Sequence, residues 1–357
     1  MRFNSNVIWH TVKIGEILKI KSGMDQKKVE TIDGKYNIYG TGGIIGKTNT
    51  PIYSKESVGI GRKGTIDKPF YFNEPFWTVD TLFYSEIKNH HAKFVYYLFQ
   101  NINWKLYNQS TGVPSLTSSV IENISVNIPN SVSEEIKIAK FLTLIDERIF
   151  TQKKIIDNLN SLINSIINRI YSNNNYNVKL SDVITQNTIR NKNILIDYIS
   201  SVSNKYGFIK QSEQFEDRDV ASDDLTNYKV VRLNDFGYNP ARINVGSIAR
   251  YKNTNDTVVS PMYICFKCKN NLYSEYLEYY FKSKEFKIHL LRRLEGSVRQ
   301  CLTFESMQNI PFYLPNLDKQ KKNAKIISAF FKKIQLETSI LNKLILQKDY
   351  LLSKMFI

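Results

Sequence analysis

Apolar residues along this chain follow two different periods. From Ile138 to Ile170 they recur in alternating steps of four and three: Ile138, Leu142, Ile145, Ile149, Ile156, Leu159, Ile163, Ile166 and Ile170, with Gln152 at the one polar position of the stripe. A second run keeps the same spacing through Ile327, Phe330, Ile334, Leu341, Leu344, Leu351 and Met355, with Glu337 and Lys348 at its polar positions. This spacing puts every member on one narrow face of a helix, and such a face sustained over many turns predicts helix-on-helix packing. A bundle core is the plainer explanation, but length and repetition favour a coiled coil. A helix of about 33 residues is roughly 50 Å long. Elsewhere, short runs of β-branched and aromatic residues are broken by glycine, asparagine and proline, as in "NIYGTGGIIGKT" and "SVGIGRKGTIDKPFYF". That pattern predicts short strands joined by tight turns.

The two helical runs belong to a larger repeat. "VKIGEIL" at Val12–Leu18 returns as "VKLSDVI" at Val178–Ile184, offset by 166 positions (12 to 178). "GVPSLTSSVIENISVNIP" returns as "GSVRQCLTFESMQNIPFYLP", with Leu116/Leu302, Asn123/Asn309 and Pro129/Pro315 offset by 186. "AKFLTLIDERI" returns as "AKIISAFFKKI", offset by 185, which pairs Gln152 with Glu337. Between the matched blocks the two halves diverge, as expected of two sites of one type with different targets. The fold class is therefore α+β: two globular domains alternating with two long helices. The expected boundaries are residues 1–132, a helix over 133–171, a connector over 172–177, a second domain over 178–316 and a second helix over 317–357. Ser133 is the expected N-cap of the first helix, with Glu134 and Glu135 in its first turn. A pseudo-two-fold relation between the halves requires the helices to run antiparallel as an intramolecular coiled coil. Gln152 and Glu337 would then meet and set its register.

Composition adds a polyanionic partner to this outline. The chain has 357 residues, 42% of them hydrophobic, with a formal net charge of +16. An excess of that size points to nucleic acid or an acidic membrane surface. No run approaches the length of a membrane span and no signal-peptide core opens the chain, so a cytoplasmic protein is expected, without membrane partners. Three cysteines do not make a disulfide framework.

Three motifs suggest chemistry and fail on spacing. "YGTGGIIGKT" (Tyr39–Thr48) looks like a phosphate-binding loop, but the position that must be glycine is Thr41. The helix that would hold the phosphate is also replaced by "TNTPIYS". "NPAR" (Asn239–Arg242) lacks the second proline and the aromatic residue of an amino-methyltransferase motif. "CFKC" (Cys265–Cys268) has metal-ligand spacing but reads as a strand, where positions three apart face opposite sides. No catalytic residue and no metal site is expected. Asp223 and Asp224 read as a solvated loop.

The repeat and its motifs together resemble a known family. "YGTGGIIGKT", "IGRKGTIDKPFYFNEPFWTVDTLFY" and "STGVPSLT" look like one lineage of target-recognition domain, and "FGYNPARINVGSIARY" with "VVSPMYICF" looks like another. Over nearly its whole length the chain resembles the specificity (S) subunit of type I restriction–modification systems. The resemblance implies that each domain reads half of a bipartite site in double-stranded DNA, and that the helices act as a ruler. It also implies docking of methyltransferase (M) subunits, expected to number two, which in turn carry a restriction/translocase (R) subunit. No cofactor is then expected on this chain; S-adenosylmethionine, ATP and Mg2+ would sit on the partners. The alternatives are a coiled-coil DNA-binding regulator and the recognition part of a stand-alone modification enzyme.

Candidate DNA contacts follow from side-chain type and turn position. In the second domain, Arg242, Asn244, Ser247, Arg250 and Lys252 surround the Gly246 turn, where arginine suits guanine and asparagine suits adenine. Arg299 and Gln300 lie in the loop after "LLRRLEG", and the matching loop of the first domain offers Gln109. Lys47, Arg62 and Lys63 complete the first domain's set. The helix-packing and partner-docking set is Ile145, Ile149, Gln152, Ile156, Ile334, Glu337 and Leu341. The aromatic clusters "KFVYYLFQNINWKLY" and "YLEYYFKSKEF" read as core, because their spacing is helical.

Overall fold

The computed structural model describes residues 8–172, 176–214, 224–296 and 300–356. The chain divides into two compact units. The first comprises residues 1–154 and 339–357, the second residues 155–338. Each unit therefore combines a globular domain with part of both long helices.

The first unit runs β1 (Trp9–Lys13), α1 (Ile14–Ile17), β2 (Leu18–Ser22), β3 (Glu30–Thr31), β4 (Tyr36–Gly40), β5 (Gly43–Thr48), β6 (Ser57–Gly61), β7 (Phe70–Phe72), β8 (Trp77–Thr78), β9 (Leu82–Ile87), α2 (Ala92–Asn101), α3 (Ser118–Asn123) and β10 (Ser125–Pro129), and then enters α4 (Val132–Tyr171). The second runs β11 (Val178–Lys179), α5 (Leu180–Val183), β12 (Ile184–Asn187), β13 (Ile199–Ser203), β14 (Gly207–Lys210), α6 (Gln211–Gln214), β15 (Lys229–Val231), β16 (Phe236–Tyr238), β17 (Ile248–Arg250), β18 (Thr257–Val259), β19 (Ile264–Cys268), α7 (Ser274–Tyr280), α8 (Lys284–Leu291), α9 (Phe304–Gln308) and β20 (Pro311–Phe312), and then enters α10 (Leu317–Met355).

The repeat is visible in the backbone. One sheet of each unit has the same order, β2-β9-β6-β7 and β12-β19-β16-β17. Glycine occupies the same register position in both, Gly59 opposite Phe70 and Gly237 opposite Ala249. The two-stranded pairs also correspond, since Val12 faces Val126 and Val178 faces Phe312. So do the caps. Lys13 N–H donates to Glu16 and Lys179 N–H to Asp182, at 2.7 and 2.8 Å. Thr117 and Thr303 each cap the short helix that follows them.

The second sheet carries the divergence. Its order is β3-β5-β4-β8 in the first unit and β14-β13-β18-β15 in the second. An antiparallel hairpin (β4–β5, β13–β14) with a parallel neighbour (β8, β18) is common to both. The fourth strand sits on opposite edges: β3 flanks the hairpin, whereas β15 flanks the parallel strand. "YGTGGIIGKT" is this hairpin in the first unit, with Gly43 at φ +121° just after its turn, so it is a turn as read and no phosphate loop.

Both long helices contribute to the core of each unit. In the first unit Ile138, Leu142, Ile145 and Ile149 of α4 share a core with Leu351, Leu352 and Met355 of α10. In the second, Ile163, Ile167 and Tyr171 of α4 share one with Ala324 and Ile327 of α10. A fully buried side chain of this size contributes about 1.5–3 kcal/mol, so these faces decide where each helix lies. The expected stripe is half-buried at Ile156, Leu159, Phe330, Ile334, Leu341 and Leu344, and its face shifts in the last turns of α4. There Ile167 and Tyr171 are buried while Ile166 and Ile170 are only half-buried. The face drifts because Tyr171 is anchored on the domain through a 2.6 Å hydrogen bond to the Tyr276 carbonyl. The start of α4 also differs from expectation. Ser133 lies inside the helix rather than at its cap, and the N–H groups of Glu134 and Glu135 donate to the Ser131 carbonyl. Glu135 is buried and accepts from His91 N–H at 2.8 Å. The aromatic clusters are core as expected: Phe94, Tyr97 and Phe99 in the first unit, Tyr276, Tyr279 and Tyr280 in the second.

Candidate nucleic-acid interface

Three segments converge in each unit, and they correspond. The first is the stretch that leaves the third strand of the common sheet. After β6, the N–H groups of Arg62 and Lys63 both donate to the Thr81 carbonyl, at 2.7 and 3.2 Å. Gly61 makes this exit possible, because a Cβ there would lie 2.0 Å from the Thr65 carbonyl oxygen. The second segment is the loop before α3. It bonds back to the first: Gly64 N–H donates to Pro114 O and Leu116 N–H to Arg62 O, both at 2.9 Å. Asn108 braces it by accepting from the N–H groups of Ser110 and Ser115. The third is the tip of the β4–β5 hairpin, where Thr41 lies against Gly64. With the backbone spent on itself, the exposed side chains of Lys63 and Gln109 point outward. Arg62 is half-buried, with Nη1 3.4 Å from the Asp80 carbonyl and its guanidinium 5.9 Å from the centre of the Phe83 ring.

The second unit repeats this arrangement after β16. Leu302 N–H donates to Pro240 O at 3.1 Å, the counterpart of Leu116 on Arg62. The loop closes on itself through Asn239 N–H to Ser247 O (3.0 Å) and Ser247 N–H to Arg242 O (3.1 Å), with Gly246 at φ +93°. Asn239 is consumed in this turn, accepting from Ala241 N–H at 3.0 Å, which accounts for "NPAR". Arg242, Asn244 and Val245 are left exposed at the loop's rim. The hairpin tip, Asn204–Tyr206, stands beside Gly246.

The structure separates the candidate residues by exposure and place. Lys63 and Gln109 converge in the first unit, as Arg242, Asn244 and Gln300 stay exposed in the second. Lys47 is exposed but lies near the far end of β5 from the hairpin turn, opposite Asn37 and Thr31. Ser247 and Arg250 depart from the expectation of outward contacts. Ser247 is buried, its hydroxyl donating to Val202 O at 2.7 Å. Arg250 is held by Glu278 Oε2 at 2.9 Å and Asn234 Oδ1 at 2.7 Å. Lys252 reaches the other oxygen of Glu278 at 2.7 Å while staying largely exposed. Arg299 lies outside the described residues, as does Asp223.

Sequence reading missed the hairpin tip of the second unit. Asn204, Lys205 and the largely exposed Tyr206 precede Gly207 at φ +72°, and "SNKYG" between two β-rich runs was the available signal. The CFKC pair divides as argued: Cys265 lies in one core and Cys268 packs against another, across the strand. Burial pushes both thiols up to about 12.

The family of type I restriction modification DNA specificity domains matches residues 6–161 and again residues 163–346. The chain belongs to that family. A type I specificity subunit of Mycoplasma genitalium is 20% identical over 380 residues, spanning all of this chain and 96% of that protein. The crystal structure of a type I restriction–modification S subunit from M. genitalium superposes with a TM-score of 0.64 at 15% identity, covering 100% and 98% of the two chains. A chain from a structure of type I restriction–modification complex assembly and conformational transition gives 0.60 at 13% identity, covering 97% of each. As a specificity subunit, the chain serves DNA sequence recognition, and its two matched segments correspond to the two repeats of the fold. Among the described residues, no helix is long and apolar enough to cross a membrane.

Proposed function

We propose that each convergent set of loops reads one half of a bipartite DNA site. The observation that carries this reading is the correspondence of the two sets. The framework bonds Leu116–Arg62 and Leu302–Pro240 are repeated, while the exposed side chains they present differ. Phosphate contacts position such a reader and base-edge contacts specify its sequence. Lys63 and Gln109 are the proposed contacts in one half, Arg242, Asn244 and Gln300 in the other. The chain is a non-catalytic, cytoplasmic subunit.

The helices are proposed to form an antiparallel intramolecular coiled coil related by a pseudo-two-fold axis, with a fixed unread spacer between the half-sites. Two features support this: the start of α4 packs with the end of α10 in one unit, and the end of α4 with the start of α10 in the other. Helices of 40 and 39 residues are about 60 Å long. The packing set Ile145, Ile149, Gln152 and Glu337 is buried, with Ile156, Ile334 and Leu341 half-buried, so partner docking is assigned to other side chains. Leu144, Phe150, Leu162, Leu336, Leu346 and Tyr350 are exposed on the two helices and would meet methyltransferase subunits, expected to number two. A restriction/translocase subunit would join through them. S-adenosylmethionine, ATP and Mg2+ belong to those partners, and none to this chain.

Methylation profiling of cells carrying the complete system, with this chain present and absent, tests the proposal. The expected result is one bipartite motif that disappears with the chain. An unchanged methylome would refute it.

A further inference from the structure

The second unit holds a cleft of about 470 Å³ between the β13–β14 turn, the end of β17 and α7. Four cationic side chains line it, Lys205, Arg250, Lys252 and Lys282, against one carboxylate, Glu278. We propose that this cleft holds a DNA backbone phosphate, and that Glu278 occupies Lys252 until the phosphate displaces it. The proposal rests on the DNA-reading function above.

The two cations on Glu278 are not equivalent. The Arg250 and Glu278 side chains are only 12% and 13% exposed, whereas Lys252 is 59% exposed. A nearly buried guanidinium keeps its carboxylate, because separating the two leaves an unpaired charge in a poor solvent. Lys252 has no such constraint. Its side chain is exposed, as are those of Lys205 and Lys282, which line the same cleft. Arg250–Glu278 is therefore the fixed floor, and the three lysines form the edge that an anion meets.

The first unit shows that the fold does not need this ion pair. Val58 and Phe236 are equivalent, and they face Tyr71 and Arg250 on the neighbouring strand. In the matched helices, Tyr96 occupies the place of Glu278. Tyr71 and Tyr96 pack as rings 5.8 Å apart. An aromatic pair, with the Lys93 ammonium 3.9 Å from the centre of the Tyr71 ring, thus fills the place that the Arg250–Glu278 ion pair takes in the second unit. The ion pair serves what is particular to the second unit, and the cleft adjoins its hairpin tip, beside the reading loops. Three lysines lining one cleft fit phosphate, and its place beside the reading loops selects the DNA backbone as the source.

The test is duplex binding by the full chain across a salt series, with a fluorescent duplex of arbitrary sequence. Each neutralised phosphate contributes about 0.9 to the slope of log K against log salt. Lys252→Ala with Lys282→Ala should lower the slope by about 0.9 and weaken binding. Glu278→Gln, whose amide oxygen still accepts from Arg250 and whose fold is checked by circular dichroism, should tighten binding at every salt concentration. Wild-type binding with unchanged slope and affinity in both variants would overturn the phosphate site and leave DNA reading intact. Wild type that binds no duplex even at low salt would remove both. Inorganic phosphate that binds wild type but not the lysine variant, while leaving duplex binding by wild type unchanged at constant ionic strength, would mark a free-phosphate site and overturn the proposal.

Discussion

His289 shows how a single buried residue ties the second domain's fold to pH. Its Nε2 lies 3.0 Å from Glu285 Oε1 and 3.2 Å from the Tyr176 hydroxyl, and its Nδ1 lies 3.3 Å from Arg293 Nη1. A guanidinium can only donate, so Nδ1 accepts and the proton sits on Nε2, donating to Glu285. Burial lowers the imidazole below its ordinary value of 6.5; Glu285 opposes this, and Arg293 and Arg292 add to it. In the unfolded chain the imidazole binds its proton more readily than in the fold. The stabilising contribution is therefore complete above pH 6.5 and is lost as the pH falls toward the folded value. The urea midpoint of the full chain should fall as pH drops from 7 through this window, and His289→Gln should flatten that part of the profile. An unchanged slope in the variant would remove His289 as the cause. The sequence showed a scattered histidine and no more, because Tyr176 is 113 residues away and only the fold brings it near.

At the scale of elements, periodicity was legible and polar partnerships were not. Lys348 stood out as a charged residue within an apolar stripe. Its partner is Asp146 of α4, 2.6 Å away, which also accepts from the Tyr97 hydroxyl at 2.8 Å. This contact joins both helices to α2 inside the first unit, and it fixes their local register more directly than apolar packing can. Asp146→Ala should lower unfolding stability by about 2 kcal/mol, read as a shift of the urea midpoint; no shift would mean that the apolar stripe alone sets the register. The start of each long helix and the end of α4 lie where Asn, Pro and Ser accumulate, at 129–131, 315–316 and 172–174. The edge strands β3 and β15 were not readable. Each is only two or three residues long, and its place depends on what the neighbouring hairpin leaves uncovered rather than on its own pattern. For the candidate contacts, exposure was the missing quantity. Ser247 and Arg250 have the right chemistry at the right turn, yet their polar atoms are spent on Val202 and Glu278. Arg242 and Asn244, only a few positions away, remain outside.

At the scale of the whole molecule, duplication is the organising fact. One framework appears twice, with the same caps, the same two-stranded pairs and the same bond from the loop before α3 or α9 to the sheet exit. What changes is the set of side chains that the framework displays. This arrangement lets one half's target change without disturbing the other's, because each unit has its own core. The claim is tested most directly by the methylation motif of a chain carrying Arg242→Ala and Asn244→Ala within the intact system. Relaxation confined to one half of the bipartite motif, with the other half and the spacer unchanged, is the predicted result. Loss of sequence preference in both halves, or an unaltered motif, would contradict it.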